Sequence, residues 1–219
     1  MDQPEAIVQP EKPRWRGVSH EIAAFVFPAF GLVLVVLAHT TAVRWAVLVY
    51  TLGLTLMYTT SACYHRGHWS ATQRLRLRRL DHSMIMVAIA ATYTPVAVAA
   101  LDLRSARVLL AVVWSLAVLG VAAQLLWLHA PRWFVATLYI AIGWTALAFL
   151  PTLWRDLGAA SFSLLAVGGV VYSVGAVVYS TRRPDPVPAV FGFHEVFHLL
   201  VIAAGLFFYA AILRIVITS

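Results

Sequence analysis

The 219 residues are 62% apolar and only 11% charged, where a soluble domain runs near half apolar and about a quarter charged. A chain this short keeps much of its surface wet when it folds in water, so a soluble fold could not hide that much apolar side chain. The single cysteine, Cys63, excludes a disulfide scaffold. The composition also excludes disorder and leaves an integral membrane protein of one domain.

The first 20 residues carry Asp2, Glu5, Glu11 and three prolines, Pro4, Pro10 and Pro13, and read as a flexible cytoplasmic tail. The apolar run after it is longer than the core of a secretion signal and is followed by further runs, so it reads as a retained span. Seven stretches lack Asp, Glu, Lys and Arg: 22–43, 45–65, 82–101, 108–131, 133–154, 157–181 and 196–213. A helix needs about 20 apolar residues to cross ~30 Å of hydrocarbon. The last stretch reaches that length if Glu195 and Arg214 sit at the interfaces. The expectation is an all-α integral membrane protein, with a domain of seven transmembrane helices over 21–219. Barrel strands alternate polar and apolar residues, and these runs do not.

Basic residues orient the chain. With seven crossings, the N-terminus and the second, fourth and sixth connections share a side. That side holds eleven of the sixteen Lys/Arg, including Lys12, Arg16, Arg66, Arg132 and Arg182, and the other side holds five. The excess of positive charge marks the cytoplasmic side, so the N-terminus is expected inside and the C-terminus outside. Membrane lipid is the expected partner. The net charge of +7 reflects this asymmetry, with no folded basic surface for nucleic acid. The run Arg66 to Arg79 reads as a topology anchor.

Ionisable groups at membrane depth are costly and mark function. The second stretch ends Ser61-Ala62-Cys63-Tyr64-His65, the third opens at Asp81-His82, and the seventh opens His194-Glu195-Val196-Phe197-His198. The expected topology brings these three ends to the cytoplasmic layer. Residues four apart stack on one helix face, about 6 Å apart along the axis, so His194 and His198 can aim at one ion and Ser61 lies a turn from His65. Three imidazoles with an open fourth position are what a catalytic Zn²⁺ uses. In that arrangement Asp81 could hold a water or a ligand ring, and Ser61 could orient His65 from behind. Spacing alone leaves a metal centre and a set of structural hydrogen-bonding histidines both open.

Single histidines at His20, His39, His68 and His129 read as interfacial or hydrogen-bonding residues. Cys63, two positions from His65, faces the other way and reads as packing. Tyr93, Thr94 and Pro95 suggest a kink whose freed backbone groups are covered by threonine hydroxyls. Gly168, Gly169, Gly175 and Gly205 suggest close helix contacts.

SACYH at 61–65, RLDHSMIMVAIAATYTPV at 79–96 and HEVFHLLVIAAG at 194–205, with SHEIAA at 19–24, resemble the hemolysin III family, the bacterial branch of the progestin and adiponectin receptor superfamily. The resemblance implies seven helices with the N-terminus inside and a zinc ion near the cytoplasmic face. It implies His65, His194 and His198 as ligands, Asp81 as an acid reaching the metal through water, and Ser61 beside the site. The superfamily resembles hydrolases of lipid amides, and its adiponectin-receptor branch is linked to ceramide cleavage. Hemolysin III members are named for cytolysis, and some relatives are tied to membrane-stress control. The expected function is therefore a zinc-dependent lipid amide hydrolase of the cell membrane. Its substrate would enter sideways between helices. The alternative is a receptor, stress regulator or cytolysin whose zinc is structural.

Other classes fit less well. His194-Glu195-Val196-Phe197-His198 matches the H-E-x-x-H of zinc proteases, but no His, Asp or Glu follows His198, and Glu195 points about a quarter turn from the pair. Glu195 is kept as a minor candidate behind the ligands or in catalysis. A retinal protein needs a membrane lysine, and Lys12 in the tail is the only one. Haem needs histidines on facing helices. A pore needs a polar path, and the outer halves of the stretches show little of one.

Overall fold

The structure is a computed structural model and describes residues 12–127 and 131–218. Much of the proposed tail and His129 therefore lie outside the described residues. Among these the chain forms α1 (Val18–Leu37), α2 (Thr41–Arg66), α3 (Ala71–Ala100), α4 (Leu103–Leu126) and α5 (Arg132–Gly143). A 3₁₀ helix (Trp144–Phe149), α6 (Leu150–Thr181) and α7 (Phe193–Thr218) follow. No β-strand occurs among the described residues, only one isolated bridge between Val187 and Phe191.

Local chemistry sets the helix starts. The Thr40 hydroxyl accepts from Val43 N–H before α2, Ser70 and Gln73 form a reciprocal capping box before α3, and the Asp102 carboxylate accepts from Arg104 and Ser105 before α4. Each cap covers backbone donors that the first turn leaves free, worth about 1 kcal/mol. α1 instead begins after Gly17, whose φ of 79° suits glycine. It starts three residues earlier than the boundary expected at 21.

Side chains then sort by depth. Tyr50, Tyr58, Met86, Leu109 and Tyr139 fill the interior, whereas Phe25 and Leu126 are 80% and 83% exposed. An apolar exterior on this scale matches a bundle immersed in hydrocarbon. Cys63 is exposed rather than packed. The glycine contacts are close at Gly168, where a Cβ would come within 2.6 Å of Phe208, and at Gly205, where it would come within 2.8 Å of the Tyr58 hydroxyl. α3 runs unbroken through Pro95, and Thr92 and Thr94 bond the carbonyls of Ala88 and Ala90. The hydroxyls thus do not cover the Ala91 carbonyl, which the missing proline N–H leaves without its helical donor.

Six helical segments among the described residues are long and apolar enough to cross a membrane, against the seven expected. The difference lies at 132–181, which runs as one helical segment of 50 residues instead of two separate stretches. Within it a 3₁₀ turn spans 144–149, and Gly158, with φ 68° and ψ 163°, interrupts the helical backbone. Tyr93 serves the irregular turn, its hydroxyl donating to the Gly143 carbonyl and accepting from Ala146 N–H. The Trp144 indole N–H donates to the Ser173 hydroxyl at 2.9 Å, and the Arg132 guanidinium lies 5.9 Å over the Tyr179 ring. The start of the segment therefore lies against its end, and the two halves run antiparallel.

Candidate metal centre

One end of the bundle gathers the end of α2, the starts of α1, α3 and α7, and the end of α6. α7 starts where it does because the Asp185 carboxylate accepts from Phe193 N–H at 2.8 Å and Glu195 Oε2 accepts from Gly192 N–H at 2.8 Å. That start sets His194 and His198 on one face of the first turn. α2 meets them with His65. One ring nitrogen from each of the three histidines falls within 4.8 Å of the others, and His65 Nε2 lies 3.1 Å from His194 Nε2. The three rings meet pairwise at 62° to 64°, with centroids 4.5 to 5.0 Å apart. They fan around a shared centre.

Asp81, from the third turn of α3, is buried, and its Oδ2 stands 3.8 Å from His65 Nε2. That is too long for a direct hydrogen bond and leaves a gap that a bridging group could fill. Ser61 is buried as well and lines the same small pocket as Asp81, His194 and His198. Glu195 is 2% exposed and turned from the histidine pair. Its Oε1 lies 2.9 Å from Arg16 Nε, an ion pair without the alignment of a hydrogen bond.

Residues 12–17 lie along this end as a strap. Arg14 and Trp15 donate backbone N–H groups to the carbonyls of Ala189 and Val190, at 3.2 and 3.1 Å. Lys12 Nζ donates to the Gly67 carbonyl at 3.0 Å. Gly17 is pressed so close to α2 that a Cβ there would come within 2.7 Å of His65 Cβ. Arg66 and Glu21 pair at 2.9 Å across the same seam. Burial holds the Arg16 guanidinium below its usual pKa, and the Glu195 carboxylate pulls in the opposite direction.

Two features had no local signal in the sequence. His20 is buried and lies flat on His198, with centroids 3.8 Å apart and planes 9° apart. Tyr179 approaches from α6, with its hydroxyl 3.4 Å from His82 Nε2 and its ring 6.1 Å from that of His194. The position of His20 in the first turn of α1, at the end of the bundle that gathers the other histidines, was the available clue.

The residues fit a zinc ion. Zinc takes imidazole nitrogens at about 2.0–2.1 Å, commonly three with an open position. Here three imidazoles converge, and a carboxylate stands just beyond direct reach of His65. Met57, Ile85, Tyr139 and Val201 line this pocket and also line an adjoining apolar cavity of about 150 Å³. The cavity passes between Tyr58, Trp144 and Phe208, and its lining includes Leu147 and Leu150, which are also exposed on the bundle's outer surface.

A family model described as haemolysin-III related matches residues 8–209. Among similar proteins, the "Hemolysin-3 homolog" of Bacillus subtilis (strain 168) is 30% identical over 197 residues, covering 88% of this chain and 86% of its own. "Hemolysin-3" of Bacillus cereus is 29% identical over 205 residues, covering 92% and 90%.

Proposed function

Since the chain belongs to the haemolysin-III-related family, we propose that it is a multi-pass cell-membrane protein that holds zinc at His65, His194 and His198 and hydrolyses a lipid amide. The chain crosses the membrane seven times in this reading, with its N-terminus inside and its C-terminus outside. A straight helix of the length of segment 132–181 would run roughly 75 Å, more than twice the hydrocarbon thickness of ~30 Å. The break at Gly158 and the antiparallel contacts of Arg132 with Tyr179 and Trp144 with Ser173 support two crossings there.

The observation that carries the hydrolase reading is the convergence of three imidazoles beside a buried carboxylate, in a pocket that shares its lining with an adjoining apolar cavity. Zinc at such a site supplies a Lewis acid that acidifies water and polarises a carbonyl. The chain's own residues do the rest. The cavity takes the apolar tail past Leu147 and Leu150 and sets the polar group toward the histidines. Asp81 takes the proton of the attacking water and returns it to the leaving amine.

A second reading keeps the zinc structural, in a receptor, stress regulator or cytolysin. The strap of residues 12–17 and the buried Arg16–Glu195 pair favour it, because structural zinc sites are closed. Metal analysis of purified wild type and His194→Ala separates the readings when run beside fatty-acid release from a panel of lipid amides. Metal and release both lost in the variant support the hydrolase. Metal lost with no release from either protein supports the structural role, and no metal in wild type defeats both.

A further inference from the structure

We infer that His20 is a positioning residue for the metal centre, its imidazole forming a flat wall that fixes the ring plane of His198. The inference rests on the zinc reading of the three-histidine cluster and adds to it a fourth histidine on a different helix.

The ring angles separate His20 from the ligands. His65, His194 and His198 meet one another edge to face, whereas His20 and His198 are parallel, 9° apart in plane and 3.8 Å between centroids. A nitrogen lone pair lies in the plane of its ring, so two stacked rings keep their lone pairs in separate parallel planes and cannot both aim at one ion in this arrangement. His20 therefore does not supply a fourth ligand.

A ligand imidazole is ordinarily oriented by a hydrogen bond from its other nitrogen to a carboxylate, carbonyl or water. His198 lacks one at Nδ1 among the described residues. The second side-chain torsion of histidine has a broad, soft minimum, so an unsupported ring swings. The face of His20 restricts that swing. His20 is itself held: Tyr58 meets it edge-on at 5.1 Å and 70°, and the start of α1 is pinned to α2 by Gly17 against His65 and by Glu21 with Arg66. The wall thus stands on the rigid part of the bundle.

The test uses the purified full chain with Co²⁺ as the probe, titrated by visible absorption into wild type, His20→Ala and His20→Phe. Phenylalanine keeps the flat face and removes both nitrogens. The expected result is a loss of Co²⁺ affinity of about 10- to 100-fold in His20→Ala, with shifted or weakened d–d bands. His20→Phe should recover most of both. Wild-type affinity and spectrum in His20→Ala overturn the inference while leaving the metal reading intact. Equal loss in both variants also overturns it, because the nitrogens and not the face would then matter. No Co²⁺ binding by wild type overturns the metal reading and this inference with it.

Discussion

Arg16 and Glu195 pair at 2.9 Å with Glu195 only 2% exposed, so the strap before α1 is tied by charge to the turn that carries the α7 histidines. Removing one partner from a buried pair leaves the other charge uncompensated. Glu195→Ala should cost about 2–3 kcal/mol, below the usual range for buried pairs because Arg16 keeps part of its side chain in solvent. Combining Arg16→Met with Glu195→Leu should recover only part of that loss, because Gly192 N–H still loses its Glu195 acceptor. Chemical denaturation in detergent measures both, and a single variant as stable as wild type would rule the tie out.

Metal binding should appear as stability. A ligand that binds only the folded state stabilises it by about 2.7 kcal/mol at a hundredfold excess over its dissociation constant. Chelator-treated protein should therefore melt lower than protein supplied with Zn²⁺. His65→Ala, His194→Ala and His198→Ala should melt at the same temperature with and without the metal. A wild type indifferent to both chelator and Zn²⁺ argues against a site at these residues.

Asp81 and Ser61 should separate chemistry from binding. Proton transfer by a positioned side chain contributes about 10²- to 10⁴-fold, so Asp81→Asn should lower lipid-amide hydrolysis by that order while metal content stays near wild type. Ser61→Ala should have a smaller effect, since it leaves the carboxylate in place and removes only a hydroxyl from the same pocket. Hydrolysis unchanged in Asp81→Asn would remove the carboxylate from the mechanism.

The parts of this arrangement that depend on one helix at a time were legible in the sequence. Uncharged runs of span length, the four-residue spacing of His194 and His198, and the placement of His65 at a helix end are local patterns, whereas Asp81, expected at the start of its helix, lies in the third turn of an α3 that already begins at Ala71. The parts that depend on two distant segments were not. The stack of His20 on His198 joins residues 178 positions apart, and no periodicity encodes a ring plane. The 3₁₀ turn after Gly143 also left no trace in hydropathy, since Trp144 to Phe149 are as apolar as the helix around them.

Gly158 and the labelling of loops test the crossing number together. With φ 68° and ψ 163°, Gly158 occupies a backbone region essentially closed to other residues. Gly158→Ala should destabilise the protein by about 1–3 kcal/mol, although a Cβ there would meet no atom within 4 Å. The loss would thus come from the backbone alone. If the chain turns back at Gly158, residue 155 lies on the same side as residue 104 and opposite residue 72. On a Cys63→Ser background, Thr72→Cys, Arg104→Cys and Arg155→Cys each carry one exposed thiol. A maleimide that cannot cross the membrane should label positions 104 and 155 from outside intact cells and position 72 only after the membrane is opened. Labelling of position 155 together with position 72 would mean that 132–181 does not cross twice, and the orientation read from the basic residues would fail with it.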